Sequence, residues 1–355
     1  MTMLAEDYDY VIGGDPDRDT IDLAVLDCAT GGVRAHLIVT TDKTGYAQVL
    51  GWANQHCTGR RVWALEGTGS FAAGLATALA QAGEDVVEVG GLRRTRGAKN
   101  DRLDAIRAAR TALARDHQAS PRGRGIREAI RALTATRNAV IVSRTKAINE
   151  LKSLIVVAPE HVRADLRGRT LAKQLAVIEA MTRLDAATAE HRVTVLTLQS
   201  IAARIRFLAH QVDELEPELG RLLSQHPSGP SLLAQPGVGP VVAAQLLLSW
   251  SHPGRLRSEA AFASLAGVAP LEIASGQRTR HRLNRGGDRA LNRALHTVAI
   301  TRLRSHPESR AYETARRAQG KTHRDVRRCL KRTIARQLYR VMESAARAAI
   351  QPTTT

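Results

Sequence analysis

Tyr10-Val11-Ile12-Gly13-Gly14-Asp15 decides how the first third of the chain is read. Apolar residues of high strand propensity run into two glycines and a carboxylate, which is how a strand delivers an acid to a loop. Downstream, Thr20 to Leu26 sets Ile21, Leu23 and Val25 against Asp22 and Ala24. Gly31-Gly32 turns the chain and Val33 to Thr40 returns, so this stretch predicts strands joined by tight turns. Gly45 to Gln55 reads as a helix and Arg61 to Leu65 as an apolar strand ending at Glu66. Gly67-Thr68-Gly69 is then a turn, Phe71 to Ala82 a helix and Asp85 to Val89 a strand. Strands alternating with helices predict an α/β sheet with a parallel portion.

Acids fall at informative places on this map. Asp15 lies at one strand end and Glu66 at another, while Asp101 and Asp104 share a face at the start of a helix. In open α/β sheets, functional groups collect at the carboxyl ends of strands. Four carboxylates gathered there repel one another unless cations neutralise them, and oxygen ligands suit Mg²⁺ or Mn²⁺. Two such ions can clamp both oxygens of a phosphodiester displacement. The bland reading is a solvated first helical turn for Asp101 and Asp104, and Asp17, Asp19 and Asp22 are rivals for Asp15.

From residue 101 onward helix dominates. Arg127 to Val157 is a long periodic stretch stopped by Pro159. Val195, Leu198, Ile201, Ile205, Leu208, Val212 and Leu215 keep a three-to-four spacing compatible with a coiled-coil hairpin. His226-Pro227-Ser228-Gly229-Pro230 is a linker. The expected domains are 1–160, 161–226 and 227–347, the last helical around one basic loop, followed by a disordered tail at 348–355.

Composition narrows the function. The 355 residues carry 52 Lys and Arg against 34 Asp and Glu, a net charge of +18. Residues 1–90 hold 5 basic and 13 acidic side chains, 91–225 hold 25 and 14, and 226–355 hold 22 and 7. An acidic head with a basic remainder predicts a polyanion bound by the later segments. No apolar run is long enough for a transmembrane helix, and the acidic N-terminus lacks a signal-peptide pattern, so a cytoplasmic protein with no membrane partner is expected. Cys28, Cys57 and Cys329 form neither a disulfide framework nor a zinc motif.

Two further motifs lie near the C-terminus. Pro236-Gly237-Val238-Gly239-Pro240 sits between apolar stretches in a helix-hairpin-helix pattern, whose Gly237 and Gly239 let backbone amides approach a phosphate. Ser275-Gly276 precedes Arg278, Arg280, Arg282, Arg285 and Arg289. A serine beside arginines is a candidate nucleophile on phosphate, with His281 a candidate base, although most such serines form turns.

Taken in order, these motifs resemble the DEDD transposases of the insertion-sequence family one-ten, bridge-RNA-guided serine recombinases, over nearly the whole chain. The resemblance rests on Gly13-Gly14-Asp15, Glu66-Gly67-Thr68-Gly69, Lys99-Asn100-Asp101-Arg102-Leu103-Asp104-Ala105, Pro236 to Gly239, Gly267 to Pro270, and Ser275-Gly276. Gly14-Asp15-Pro16-Asp17 departs from the family's usual Ile-Asp and a small residue. The resemblance implies a RuvC-like, ribonuclease-H-like N-terminal domain that binds Mg²⁺ or Mn²⁺ through Asp15, Glu66, Asp101 and Asp104. It implies a C-terminal transposase domain in which Ser275 attacks DNA, with the two parts of the active site meeting across protomers. It further implies a homo-oligomer, dimer or tetramer, and a structured guide RNA pairing with donor and target DNA while the protein grips backbone. Lys99 and the arginines named above are the expected nucleic-acid contacts. The competing readings are a metal-dependent junction-resolving endonuclease with Ser275 structural, and a non-catalytic nucleic-acid-binding protein.

Overall fold

A computed structural model describes residues 3–90, 101–115, 119–121, 124–182, 188–275, 278–282, 284 and 286–350; of Asp101, 271–275, 278–282 and Ile350 it describes the backbone only. The chain divides into two compact units, Met1–Gly123 and Arg124–Thr355.

The first unit opens with a short helix, α1 (Leu4–Asp7), and then strands β1 (Tyr10–Pro16), β2 (Thr20–Asp27) and β3 (Val33–Thr40). Helix α2 (Lys43–His56), strand β4 (Arg61–Glu66), helix α3 (Ala73–Gln81), strand β5 (Asp85–Val89) and helix α4 (Asp101–Leu113) complete it. The five strands lie in the order β3-β2-β1-β4-β5. β1, β2 and β3 pair antiparallel as a meander, while β4 runs parallel to β1 and β5 parallel to β4. This mixed five-stranded sheet is consistent with the expected ribonuclease-H-like layout.

Alternation along the strands builds two cores. Ile12, Leu23, Val25, Trp63 and Leu65 face α2 and α3, packing against Val49, Trp52, Leu75 and Leu79. Trp63 is fully buried, and its indole N–H donates to Glu84 at 2.7 Å, so its polar atom is satisfied. On the other face Val11, Ala24, Leu26, Val62 and Ala64 meet Ala105, Ala109 and Ala112 of α4. With so few aromatics, alanines carry this interface, and small side chains let helix and sheet approach closely.

The second unit is dominated by two long helices, α5 (Ile126–Val157) and α8 (Ala189–Gln225), joined through α6 (Glu160–Leu166) and α7 (Leu171–Ala180). Arg137 pairs with Glu216 at 2.6 Å and Glu150 pairs with Arg204, so the two run antiparallel. The stretch expected to close the first domain is thus packed on α8 within the second unit. At one end of the pair, Leu151, Ile155, Leu166, Ile178, Leu198 and Ile205 form one core. At the other, Ile130, Leu219 and Leu223 join a larger core with the C-terminal elements.

Those elements are α9 (Gly229–Leu233), α10 (Pro240–Trp250), α11 (Glu259–Leu265), strands β6 (Leu271–Ser275) and β7 (Arg278–Arg282), then α12 (Arg289–Ser305), α13 (Pro307–Ala318) and α14 (His323–Ile350). Two expectations need correction. The basic stretch expected to be a loop in a helical domain forms an antiparallel hairpin, with Leu271 opposite Arg282 and Ser275 opposite Arg278. Residues 348–350, expected to open a disordered tail, instead continue α14 to Ile350; residues 351–355 lie outside those described.

Candidate functional sites

The carboxyl edge of the sheet gathers the N-terminal acids. β1 and β4 pair in parallel up to Gly14 opposite Leu65, so Asp15 and Glu66 come next, side by side on adjacent strands about 5 Å apart. Alternation puts Asp15 on the same sheet face as Val11, and Glu66 on the same face as Val62 and Ala64, the face that α4 covers. Both acids are half-buried.

A missing side chain sets the depth of α4. A Cβ on Gly13 would lie 2.0 Å from the Ala105 carbonyl oxygen and 2.7 Å from the Ala109 nitrogen. The helix backbone therefore rests directly on β1, two residues before Asp15. Asp101 precedes Ala105 by four residues and Asp104 precedes Ala108 by four, so both occupy rows that continue the buried alanine face. Arg102 acts electrostatically on His36, which lies 3.5 Å from Asp22, itself opposite Asp15 in the β1–β2 register. The start of α4 is thus over the same edge as Asp15.

The remaining acids separate clearly. Asp17 and Asp19 are exposed in the β1–β2 turn, where Asp17 accepts from the Arg18 amide at 2.8 Å and Asp19 pairs with Arg18 at 2.7 Å. Asp22, only a rival from sequence, is 7% exposed beside His36. Burial, then Arg102, lower the His36 pKa, and Asp22 offsets this in part, so the imidazole is neutral at neutral pH.

Asp104 pairs with Arg107. Among the described residues, no three His, Cys, Asp or Glu side chains are grouped closely enough to hold a metal ion; the Asp101 side chain lies outside them, as does Lys99. The donor chemistry nonetheless suits a hard divalent cation: two carboxylates side by side, with Asp104 on the helix above. The Thr68 hydroxyl, two residues past Glu66, is buried without a hydrogen-bond partner. Asp15 and Glu66 are the residues that would hold such an ion, with Asp104 completing the set once released from Arg107.

The C-terminal candidates scatter more. Gly237 takes a left-handed φ of +76°, and a Cβ there would sit 3.2 Å from the Val298 carbonyl oxygen, so this glycine serves the turn and its packing on α12. Gly239 is the N-cap of α10 and faces open space. Arg302, 5% exposed, holds the turn from within: Nε donates to the Pro236 carbonyl and Nη1 to Gln337 Oε1, both at 2.8 Å. Ser275, Arg278, Arg280 and Arg282 are placed by backbone on the hairpin, while Arg285 lies outside the described residues. Arg289 starts α12 and lines a cavity of about 640 Å³ together with Asn292, Arg293, His296 and Lys331. Sequence reading passed over Asn292, His296 and Lys331. Arg289, Arg293 and His296 do carry a helical spacing that marks one face, but Lys331 comes from a distant helix.

An α/β unit with acids at the carboxyl edge of its sheet, followed by a basic helical unit, suits a polyanionic partner. Family comparisons agree: residues 12–158 match the DEDD transposase family of IS110, described as a transposase, and residues 230–314 match the transposase IS116/IS110/IS902 family. Both IS110-type transposase domains are thus matched, in order along the chain. The chain is 36% identical over 129 residues to the insertion element IS110 uncharacterized 43.6 kDa protein of Streptomyces coelicolor, covering 36% of this chain and 32% of that one. It is 26% identical over 313 residues to the insertion element IS900 uncharacterized 42 kDa protein of Mycobacterium paratuberculosis, covering 75% and 78%. It is 26% identical over 202 residues to the transposase for insertion sequence element IS1328 of Yersinia enterocolitica, covering 56% and 57%. The chain thus spans about a third of the Streptomyces protein. No helix among the described residues is long and apolar enough to cross a membrane.

Proposed function

We propose that this protein is the DNA recombinase of an insertion sequence, cutting and rejoining donor and target DNA in the cytoplasm under the direction of a structured guide RNA. The observation that carries the reading is the juxtaposition of Asp15 and Glu66 at the carboxyl edge of the sheet, under the start of α4, in a chain with both family domains. The acidic group is Asp15, Glu66, Asp101 and Asp104, and a bound Mg²⁺ or Mn²⁺ would offset the charge that develops on the phosphoryl oxygens. Ser275 is the nucleophile. Its Oγ bonds to phosphorus as a P–O bond of the strand breaks, its proton passes to a base, and the leaving strand departs as a hydroxyl. Attack by a hydroxyl of the other strand reverses the step, restoring the serine and joining the DNA. Arg278, Arg280, Arg282, Arg285, Arg289 and Lys99 grip the backbone, with Gly237 and Gly239 keeping the α10 turn slim against it. The active form is a dimer or tetramer.

The test incubates protein, guide RNA and both DNAs and measures recombinants and covalent protein–DNA adducts. Asp15→Asn and Glu66→Gln are expected to lower recombination at least 100-fold, while Asp17→Asn stays within threefold of wild type. Ser275→Ala is expected to remove the adduct. Full activity in Glu66→Gln or in excess chelator overturns the acidic site. Metal-dependent cleavage that persists in Ser275→Ala without any adduct replaces the serine mechanism with that of a metal-dependent endonuclease.

A further inference from the structure

The cavity beside α12 is not explained by the proposed chemistry of Ser275. Arg289, Arg293 and His296 recur at helical spacing along one side of α12, and Lys331 reaches in from α14. Among the described residues, no carboxylate lines it. Lys331 is part-buried, and its Nζ donates to Asn292 Oδ1 at 2.6 Å. Asn292 in turn donates through Nδ2 to the Ala266 carbonyl at 2.7 Å, so the amide is fixed in orientation and positions the ammonium. Burial, with Arg328 nearby, lowers the Lys331 pKa, and burial with Lys331 and Arg327 lowers that of His296. Cations held together at such a cost gain from any anion that enters. The volume of about 640 Å³ accommodates a phosphate with its sugars, and Arg289, Arg293 and Lys331 set three cationic side chains in its lining.

We propose that this cavity is a phosphate site that clamps one backbone phosphodiester of the bound DNA between Lys331, Arg293 and Arg289. The inference rests on the reading of the chain as a DNA recombinase. Gly267 and Asn284, which also line the cavity, flank the open end of the β6–β7 hairpin, whereas Ser275 lies at its closed end. Five-residue strands separate those ends by about 14 Å. The clamped phosphate is therefore a different one from that attacked by Ser275, and holding it fixes the register of the strand relative to the serine.

Two arms test this on the full chain. In the first, inorganic phosphate is the probe, at a concentration giving near-saturation. It is expected to raise the Tm of wild type and of Arg221→Gln, an exposed control on α8, by about 2–4 °C, and to leave Lys331→Gln unmoved. In the second, duplex binding is titrated against salt. Lys331→Gln and Arg293→Gln are each expected to lower the slope of log affinity against log salt by about one, with a loss of about tenfold at fixed salt. Arg293 is exposed, so its substitution leaves the fold intact. If phosphate stabilises Lys331→Gln as much as wild type, or fails to stabilise wild type, the site is overturned, whatever DNA does. If duplex binding is strong but both slopes match that of Arg221→Gln, the assignment to a DNA strand is overturned while the recombinase reading stands. If phosphate binds at Lys331 and wild type binds no duplex, both the strand assignment and the recombinase reading fail.

Discussion

At position 13 a strand and a helix come within backbone contact, and one methyl group is enough to part them. Gly13→Ala would set a Cβ 2.0 Å from the Ala105 carbonyl, so α4 has to lift off β1. The expected cost is about 1–3 kcal/mol, the usual range for overpacking. Gly51→Ala, on α2 where nothing lies within 4 Å of the added atom, is expected to be neutral or slightly stabilising. Denaturant melts of the two variants check this, and equal stability would remove the contact from the account. Asp15 and Glu66 were legible at this scale because a strand running into glycine is a local pattern. That Asp22 stands opposite Asp15 depends on strand register, which no local pattern carries.

Among the elements, the joint between α8 and α9 holds a titrating group. His226 caps the end of α8, and its Nδ1 accepts the Ser228 amide at 3.1 Å, which requires the neutral ring. Burial first, and Arg127 second, lower its pKa from 6.5. The unfolded chain then binds the proton more readily than the folded one, so the stability present above about pH 6.5 is lost as pH falls through that value toward the folded pKa. Wild type is expected to lose up to about 1.4 kcal/mol more per pH unit below 6.5 than His226→Asn, whose amide oxygen keeps the Ser228 bond. Parallel pH profiles of the two would exclude this joint as the sensor. Periodicity showed that α5 and α8 carry apolar stripes, yet not that each covers the other, since a stripe does not name its partner. The β6–β7 hairpin escaped notice for a different reason. In β7, Arg278, Arg280 and Arg282 alternate with Thr279 and His281, so that strand lacks the apolar face by which strands are recognised, and the apolar alternation of β6 is only Leu271 and Ile273 long.

For the whole molecule, charge follows the unit boundary. Met1–Gly123 holds 14 basic and 16 acidic side chains, and Arg124–Thr355 holds 38 and 18. The composition alone revealed this gradient, but not where the boundary falls. A duplex is therefore expected to shield arginines mainly in the second unit. Modification of the full chain with a guanidine-reactive reagent, with and without DNA, read by mass spectrometry, checks this. Protection concentrated on Arg18, Arg34, Arg60 and Arg61 instead would place the polyanion on the wrong unit.

The antiparallel α5–α8 pair has a mechanical consequence. At 37 residues α8 is about 55 Å long, and its two ends are embedded in separate cores. Pro217 lies in this helix near the larger core, where its missing N–H leaves a carbonyl one turn back without its usual partner. Glu216, next to it, is the residue that pairs with Arg137. Compliance is thus concentrated at the root of a lever whose outer length is braced by its partner. A tilt of about 5° there carries the distal end, about 42 Å away, by about 4 Å, so a small repacking at one core becomes a displacement on the scale of a side chain at the other.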